Sequence, residues 1–178
     1  VMFAGSRDAE LPAELCKGLI EGFAQLGFSF YVGCAPGVDA CFRKALSRSA
    51  YREISFVACA FANRTKHSVS YGLYASVVVP KNLSPKVALR RRTLWMVKRA
   101  SLAVLFPQRP SDGSWGRGSQ LVFRACLYQL KPLFVVSSRR PPLSAHYRVL
   151  RSNLFGVVDG WWVVPHPVEE GGTCDEEY

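Results

Sequence analysis

Short apolar segments alternate with helical patterns over the first 136 residues, and this alternation constrains the fold more than any other feature. The apolar segments at 1–4, 28–32 and 54–61 are nearly continuous, as in strands that are buried on both faces. In the first helical pattern, apolar side chains recur every three or four residues and mark one helix face, formed by Leu11, Leu15, Leu19, Phe23 and Leu26. A second helical pattern follows at 38–46. This β-α-β-α-β order predicts a parallel sheet covered by helices on both faces.

The same order continues after a less regular stretch at 62–85, which holds one strand-like run at 75–79 that the pattern does not place. Ser84 and Pro85 suit the cap and the first turn of a helix that runs to about Ala100. The next elements are a strand at 101–106, a helix at 120–130 and a strand at 132–136. We therefore expect one Rossmann-like α/β domain over residues 1–164, doubly wound around a mostly parallel sheet of about five parallel strands.

The last quarter of the chain, from residue 137, departs from this order. Residues 137–153 are basic and rich in turn residues, so we interpret them as a connection. Residues 155–164 predict an extra strand or hairpin that packs on an edge of the sheet. The segment 165–178 has too little apolar surface to offset the entropy of ordering, and we expect an acidic, mobile tail there.

The composition narrows the class of protein. With 49% hydrophobic and 20% charged residues the chain is globular, and no uncharged apolar run reaches the length of a membrane span. The chain opens on an apolar stretch without a basic segment before it, so we expect a cytoplasmic protein without a membrane partner. The six cysteines form no CxxC pair, and His67, His146 and His166 lie far apart. We therefore expect reduced thiols, no metal and no required cofactor.

The net charge is +10, and its distribution is uneven. Five of the 13 acidic residues fall in the last ten positions, which leaves the rest of the chain more basic than the total indicates. A positive field attracts phosphates, nucleic acids or acidic surfaces, although it also serves solubility alone. Charge by itself therefore leaves the class of partner open.

Glycine loops follow three of the predicted strands. Gly5 precedes Ser6 and Arg7, Gly33 and Gly37 precede Asp39, and the third loop places Gly113, Gly116 and Gly118 before Ser119. One such glycine usually marks only a turn, but parallel strands gather their carboxyl ends at one edge, where ligands bind. Helices that begin there direct backbone N–H groups at an anion. The sequence lacks GxxxxGK[ST] and lacks GxGxxG after its first strand, which argues against ordinary NTPases and dehydrogenases.

Two basic regions raise the question of nucleic acid. Arg90, Arg91 and Arg92 lie on different sides of one predicted helix without acids nearby, so they form either a solvated face or a contact for phosphate. Aromatic residues stand near other cations, for example Tyr147 beside Arg148. Cationic grooves with aromatic platforms bind single-stranded nucleic acid, whereas scattered arginines are usually solvated.

Four segments carry a family resemblance, and in chain order they read GSRD, GCAPGVDACFRKAL, RRTLWMVKRASLAVLFP and GRGSQLVFRACLYQLKPLFVV. Together they resemble the SLOG superfamily of Rossmann-like proteins over about residues 1–136. This superfamily includes the DNA-processing protein A (Smf) family, the Lonely guy phosphoribohydrolases and YpsA-like proteins. The resemblance implies a nucleotide or nucleotide-derived ligand at the strand ends and pairing of chains through helices beside the site. The expected ligand contacts, with Gly116 added from its loop, are Gly5, Ser6, Arg7, Gly33, Gly37, Asp39, Arg92, Thr93, Gly116, Gly118 and Ser119.

The sequence departs from the Lonely guy pattern at one position. Where the GGxGTxxE motif of those enzymes carries its catalytic glutamate, this chain has Val122. An apolar side chain cannot stabilise an oxocarbenium charge or activate water, and Gln120 is no substitute as a base. Asp39 and Asp112 are the only acids nearby, and neither is a clear catalytic group.

Three functions stay open at this stage. The first is binding of a nucleotide or nucleotide derivative, as in a sensor, and the second is a single-stranded DNA-binding module similar to DNA-processing protein A. The third is an N-glycosidic hydrolase of nucleoside monophosphates, which Val122 disfavours. Whether the chain is an enzyme is therefore left undecided.

Overall fold

A computed structural model describes residues 1–69, 72–142 and 147–166, and a single eight-stranded sheet lies at its centre. The strand order is β4-β3-β2-β1-β5-β6-β8-β7. The strands are β1 (Met2–Gly5), β2 (Phe30–Gly33), β3 (Ser55–Cys59), β4 (Tyr74–Val77), β5 (Ala103–Phe106), β6 (Leu133–Val135), β7 (Tyr147–Leu154) and β8 (Val158–Pro165). The helices are α1 (Ala13–Gln25), α2 (Val38–Ser47), α3 (Ala62–Val69), α4 (Pro85–Arg99) and α5 (Arg117–Tyr128), with a short 3₁₀ helix at Arg52–Ile54.

The strands from β4 to β6 are parallel, and β8 and β7 add an antiparallel extension. The predicted α/β class, with its mostly parallel sheet, flanking helices and C-terminal hairpin, is confirmed. The parallel part has six strands rather than about five, because the run that the pattern did not place forms β4 at the sheet edge. Four residues of mixed exposure between polar loops are too weak a signal to assign from sequence alone.

The strand order reverses at β1, which pairs with β2 on one side and with β5 on the other. Gly5 at the end of β1 lies opposite Phe106 at the end of β5. Connections leave these two strands in opposite directions, which opens a crevice between them at the carboxyl edge of the sheet. The topology therefore creates a ligand-sized opening at the place where the first and third glycine loops meet.

Two apolar layers hold the helices on the sheet. On the face covered by α1 and α2, Phe3 stacks on Phe42 with ring centroids 3.9 Å apart. Met2 faces the other side, where Met96 of α4 and Phe123 of α5 are buried. Because neighbouring residues of a strand point to opposite faces, the continuous apolar sequence of β1 supplies both layers.

Two helices have boundaries that differ from the sequence prediction. Helix α1 ends at Gln25, so Leu26 lies beyond the buried stripe and is 64% exposed. Helix α5 begins at Arg117 rather than at 120. The prediction was late because a glycine next to a serine is typical of a loop in sequence, although a first helical turn accepts both residues. Ser119 therefore belongs to the first turn of α5 instead of preceding it.

The C-terminal extension corrects one prediction. Residues 147–153, which we interpreted as part of a basic connection, form most of β7. The strand alternates half-buried residues such as Tyr147 and Val149 with exposed ones such as Arg148, a pattern typical of a strand with one covered face. The predicted hairpin is present as β7 and β8. Most of the predicted acidic tail, residues 167–178, lies outside the described residues.

The hairpin is held against the first helix by its turn. Phe155 and Gly156 adopt positive φ angles of 57° and 73°, which suits the tight turn between β7 and β8. The Phe155 ring packs edge-on against Phe23 at a centroid distance of 4.8 Å. A side chain at Gly22 of α1 would collide with this ring. The antiparallel extension is thus anchored to the parallel core.

Candidate functional site

An open crevice of about 1040 Å³ lies at the carboxyl ends of β1 and β5. Its walls come from the loop after β1, from one side of α4 and from α5 along its length. The position matches the general rule that open parallel sheets bind ligands where their strand order reverses. The crevice is large enough for a ligand of nucleotide size.

Basic side chains dominate the lining of this crevice. Two acids line it, Asp8 and Asp39. The basic residues that line it are Arg7, Lys86, Arg90, Arg92, Arg109, Arg117 and Arg124. Walls that carry one sign of charge concentrate the field inside a concave site, so this crevice attracts anions.

The first turn of α5 presents an open end to the crevice. Gly116 caps the helix without a side-chain hydrogen bond, and the first amides of any helix lack intrahelical partners. Ser119 is 2% exposed, yet its hydroxyl has no hydrogen-bond partner. A Cβ added at Gly118 would meet no atom within 4 Å. This turn therefore combines free donors, an unpaired buried hydroxyl and empty space in front of them.

The loop after β1 is ordered by its own hydrogen bonds. The Ser6 amide donates to the Phe106 carbonyl at 2.9 Å, and the Val38 amide donates to the Ser6 carbonyl at 3.1 Å. The Ser6 hydroxyl accepts a hydrogen bond from the Asp8 amide at 3.3 Å. Arg7 is exposed at the rim of the crevice. The loop thus fixes the backbone beside the opening and leaves Arg7 available to a ligand.

The loop after β2 has a different interior, because a buried ion pair fills it. Arg92 Nη1 lies 3.0 Å from Asp39 Oδ2, and the two side chains are 6% and 8% exposed. The same carboxylate oxygen accepts a hydrogen bond from the Ala35 amide at 3.2 Å. A Cβ at Gly33 would collide with both the guanidinium and the carboxylate. Glycine is required here because its missing side chain makes room for the ion pair.

Further hydrogen bonds close this loop from outside. Arg43 Nη1 donates to the carbonyls of Gly33 and Ala35 at 2.6 and 2.9 Å, and Arg64 Nη1 donates to the Cys34 carbonyl at 3.0 Å. Gly37 has a φ of +70°, and a Cβ there would collide with the backbone of the loop after β1. The carbonyls of Gly33, Cys34 and Ala35 in the second loop are therefore hydrogen-bonded within the protein.

The structure brings most of the predicted ligand contacts into one crevice. The lining includes Gly5, Ser6, Arg7, Asp39, Arg92, Thr93, Gly116, Gly118 and Ser119. Gly33 and Gly37 lie behind it, packed against the ion pair and the first loop. The Thr93 hydroxyl donates to the Leu89 carbonyl at 3.0 Å, whereas buried Arg92 keeps its Nε without a partner. Whether any of these residues contacts a ligand stays a prediction.

Sequence reasoning missed several basic residues of the lining. Arg109 and Arg117 flank the third glycine loop, so their sequence position could have revealed them. Lys86 and Arg124 had no such signal, because only the packing of α4 beside α5 brings them to one opening, and Arg90 was weighed in sequence only as part of a basic helix that is either solvated or in contact with phosphate. These residues extend the basic surface from the strand ends along the two helices.

The acids considered for hydrolysis are poorly placed. The Asp39 carboxylate is engaged by Arg92 and the Ala35 amide. Asp112 is not among the lining residues, and hydrogen bonds from Ser114 lower its pKa, which favours the ionised form over a proton donor. Val122 is buried in the apolar layer under α5. The crevice thus fits binding of an anion better than acid catalysis.

A second groove, of about 860 Å³, lies between α1 and α2. Its lining mixes acids with bases: Glu10, Glu14, Glu21, Lys17, Arg43, Lys44 and Arg48. Opposite charges at similar number give no preference for anions, and no strand ends there. The crevice at the strand ends is therefore the better candidate site.

The described ranges 1–69, 72–142 and 147–166 lack two other kinds of feature. They contain no group of three or more His, Cys, Asp or Glu side chains arranged to hold a metal ion. No helix in them has the length and apolar character needed to cross a bilayer.

Comparisons with known proteins point to one fold. No protein-family model matches the chain, and no curated protein sequence matches it. DNA processing protein A from Streptococcus pneumoniae superposes with a TM-score of 0.57 at 12% identity, over 78% of this chain and 50% of that one. DNA processing protein A from Helicobacter pylori, described for its single-stranded DNA binding mode, superposes with a TM-score of 0.56 at 18% identity, over 78% of this chain and 66% of that one.

At these identities the likeness concerns the fold. The Rossmann-like architecture of DNA processing protein A is shared by this chain, as the sequence resemblance implied. Membership in the wider SLOG superfamily stays a prediction.

Proposed function

We propose that this chain binds a phosphate-bearing nucleotide or nucleotide derivative in the crevice between β1 and β5. The observation that carries the proposal is the first turn of α5, where the buried Ser119 hydroxyl lacks a partner and the space before Gly118 is empty. A buried hydroxyl left unpaired costs about 1–3 kcal/mol, which a bound anion would recover. Phosphate suits this turn because helix N-termini combine free amides with a partial positive charge.

The surrounding cations support a phosphate rather than a neutral ligand. Arg7 and Arg117 are exposed at the two sides of the opening, and Arg109 stands beside Gly116. A guanidinium binds phosphate through paired N–H donors, so arginines at a rim can close over a bound group. Arg92 lies deeper, where Asp39 fixes its orientation and leaves its Nε free of protein partners.

Single-stranded DNA is a second candidate, favoured by the length of the basic surface. Beyond the strand ends the lining continues along α4 and α5 with Arg90 and Arg124, next to Tyr128, whose side chain is 90% exposed. Bases stack on exposed aromatic rings while cations follow the backbone. The likeness to DNA processing protein A, one structure of which is described with single-stranded DNA, supports the same candidate.

A thermal-shift panel of mononucleotides, dinucleotides and inorganic phosphate tests the first candidate. A ligand that binds only the native state raises the melting temperature in a saturable way. We expect Arg117→Ala to reduce this shift, because a hydrogen bond to a charged group contributes about 1.5–3 kcal/mol. Arg151→Ala is the matched control, since Arg151 is an exposed arginine of β7 that does not line the crevice. Equal shifts in the two variants would remove the crevice from consideration.

Salt dependence separates the two candidates. Binding of a labelled oligonucleotide should weaken steeply with salt if several phosphates are neutralised, whereas one phosphate gives a shallow dependence. Arg124→Ala and Tyr128→Ala should then weaken the oligonucleotide and leave a mononucleotide nearly unchanged. Binding of the oligonucleotide without any small ligand would favour the DNA candidate over the first.

Pairing of two chains through the helices beside the crevice belongs to the same proposal. Sedimentation velocity with and without the ligand tests it. A single monomeric species under both conditions would contradict the pairing.

A further inference from the structure

Cys34 and Cys59 lie side by side at the carboxyl edge of the sheet. Gly33 of β2 pairs with Ala58 of β3, and each cysteine is the residue that follows in its own segment. Adjacent strands are about 4.8 Å apart, and disulfides usually span about 4.4–6.8 Å between Cα atoms. The two side chains are 6% and 0% exposed, and both belong to the apolar layer on the same face of the sheet. Their backbone positions therefore suit a direct bridge.

The surroundings make the two thiols unequal. The Cys34 sulfur accepts a hydrogen bond from the Ala60 amide at 3.5 Å, whereas the Cys59 thiol donates to the Val57 carbonyl at 4.0 Å. The neighbouring Cys59 thiol, together with the positive charges of Arg92 and Arg64, lowers the pKa of Cys34 against the cost of burial. The neighbouring Cys34 sulfur and burial raise the pKa of Cys59. Cys34 is therefore the more readily ionised thiol of the pair.

Two other cysteines among the described residues have the opposite shift in pKa. Burial raises the pKa of Cys16 and of Cys126 to about 12. The thiolate is the nucleophilic form, so these two thiols react slowly at neutral pH. They provide internal controls for the reactivity of Cys34.

We propose that Cys34 and Cys59 are an oxidation site, at which hydrogen peroxide converts the dithiol into a disulfide at the carboxyl ends of β2 and β3. The Cys34 thiolate attacks one peroxide oxygen and becomes a sulfenic acid, while hydroxide leaves. Cys59 gives its proton to that hydroxide, which forms water, and the Cys59 sulfur attacks the Cys34 sulfur. The sulfur–sulfur bond forms and a second hydroxide leaves. The two thiols lose two electrons, and the peroxide gains them.

The bridge would change the charge beside the crevice. It removes the negative Cys34 sulfur from the neighbourhood of Arg92, whose guanidinium lines the crevice. It also fixes the loop that carries Ala35 and Asp39 to β3. This consequence depends on the proposed phosphate binding: the oxidised protein should bind inorganic phosphate on the order of fivefold more tightly, because one nearby negative charge is lost.

Peptide mapping after peroxide treatment tests the bridge. The full chain with Cys174→Ser is used, so that the last cysteine cannot take part. We expect a Cys34–Cys59 linked peptide to appear before any link between Cys16 and Cys41. In a Cys59→Ser variant, a sulfenic acid should accumulate at Cys34 and react with a cyclic 1,3-diketone. In a Cys34→Ser variant, Cys59 should stay reduced.

The outcomes separate this inference from the proposed function. If Cys34 and Cys59 stay reduced while other cysteines oxidise, the oxidation site is wrong. If the bridge forms but neither form of the protein binds phosphate, the oxidation site stands and the phosphate proposal fails. If both forms bind phosphate with equal affinity, the bridge does not control the crevice.

Discussion

The loop after β2 and the turn before α5 share one sequence pattern, glycines followed at once by a helix, but they use it differently. In the first, Gly33 makes room for the protein's own Asp39–Arg92 ion pair. In the second, Gly118 faces empty space and Ser119 keeps an unpaired buried hydroxyl. The same pattern is thus closed by internal partners after β2 and left open after β5.

Glycine loops at the ends of parallel strands can therefore be interpreted only in part from sequence. A glycine indicates that something approaches the backbone closely, but it does not indicate what approaches. The Arg92 side chain of α4 fills the loop after β2, and no short-range sequence pattern indicates that contact. The open turn differs from the closed loop because an unpaired buried hydroxyl at Ser119 lies beside the empty space before Gly118, whereas Gly33 is packed against the ion pair.

Breaking the Asp39–Arg92 ion pair of the closed loop should lower the free energy of unfolding more than any other substitution proposed here. Asp39→Ala leaves the Arg92 guanidinium buried without its partner, and such losses cost about 3–5 kcal/mol of unfolding free energy. The double variant Asp39→Ala with Arg92→Met should recover part of this loss, because it removes the unpaired charge. Urea unfolding of both single variants and the double variant measures the coupling. A single Asp39→Ala change with less than about 1 kcal/mol of loss would show that the loop is not held by this pair.

The same substitution at the two glycines gives the most direct contrast. Gly33→Ala forces a methyl group against the ion pair and should cost about 2–3 kcal/mol, as overpacking of a filled site does. Gly118→Ala meets no atom within 4 Å and should change stability by less than about 1 kcal/mol, with alanine favoured in a helix. Thermal or urea unfolding of the pair provides the measurement. Equal losses would mean that the two loops do not differ in the way described.

Removing an outer hydrogen-bond donor of the closed loop should have an intermediate effect. Arg43→Met loses the bonds to the carbonyls of Gly33 and Ala35, and we expect a loss of about 1–2 kcal/mol because Arg43 is only half-buried. Lys44→Met is the control, because Lys44 is exposed on the same helix and its replacement removes the same charge. Unfolding curves that coincide for both variants would contradict a specific role for Arg43.

A substitution in the first turn of α5 should change the affinity for phosphate more than it changes the free energy of unfolding. Ser119→Ala removes a buried hydroxyl without a partner, so the free energy of unfolding should change by at most about 1 kcal/mol, towards greater stability. Its affinity for phosphate should fall about tenfold, the value of one hydrogen bond to a charged group. Ser47→Ala, at a half-buried serine of α2 away from the crevice, should leave the affinity unchanged. Isothermal titration of both variants decides between these outcomes.

The sequence predicted the central part of the fold because its signals there are local. Continuous apolar runs such as 1–4 require burial on both faces, and alternation with helical patterns leaves few arrangements besides a doubly wound sheet. The prediction failed at 147–153, where arginines within β7 hid a one-sided strand. It also set the start of α5 three residues too late, because glycine and serine favour loops in sequence but were part of a helix here.

Amino-acid order alone was enough to predict the class of the fold, the strand ends at which polar and glycine residues gather, and the excess of positive charge. Packing then selected which of these residues pair with each other and which stay open to a ligand. This division follows from distance along the chain: Arg92 reaches Asp39 across 53 positions, and β5 lies beside β1 only after the sheet has formed. Local patterns encode elements, whereas the filling of a crevice depends on side chains that only packing brings together.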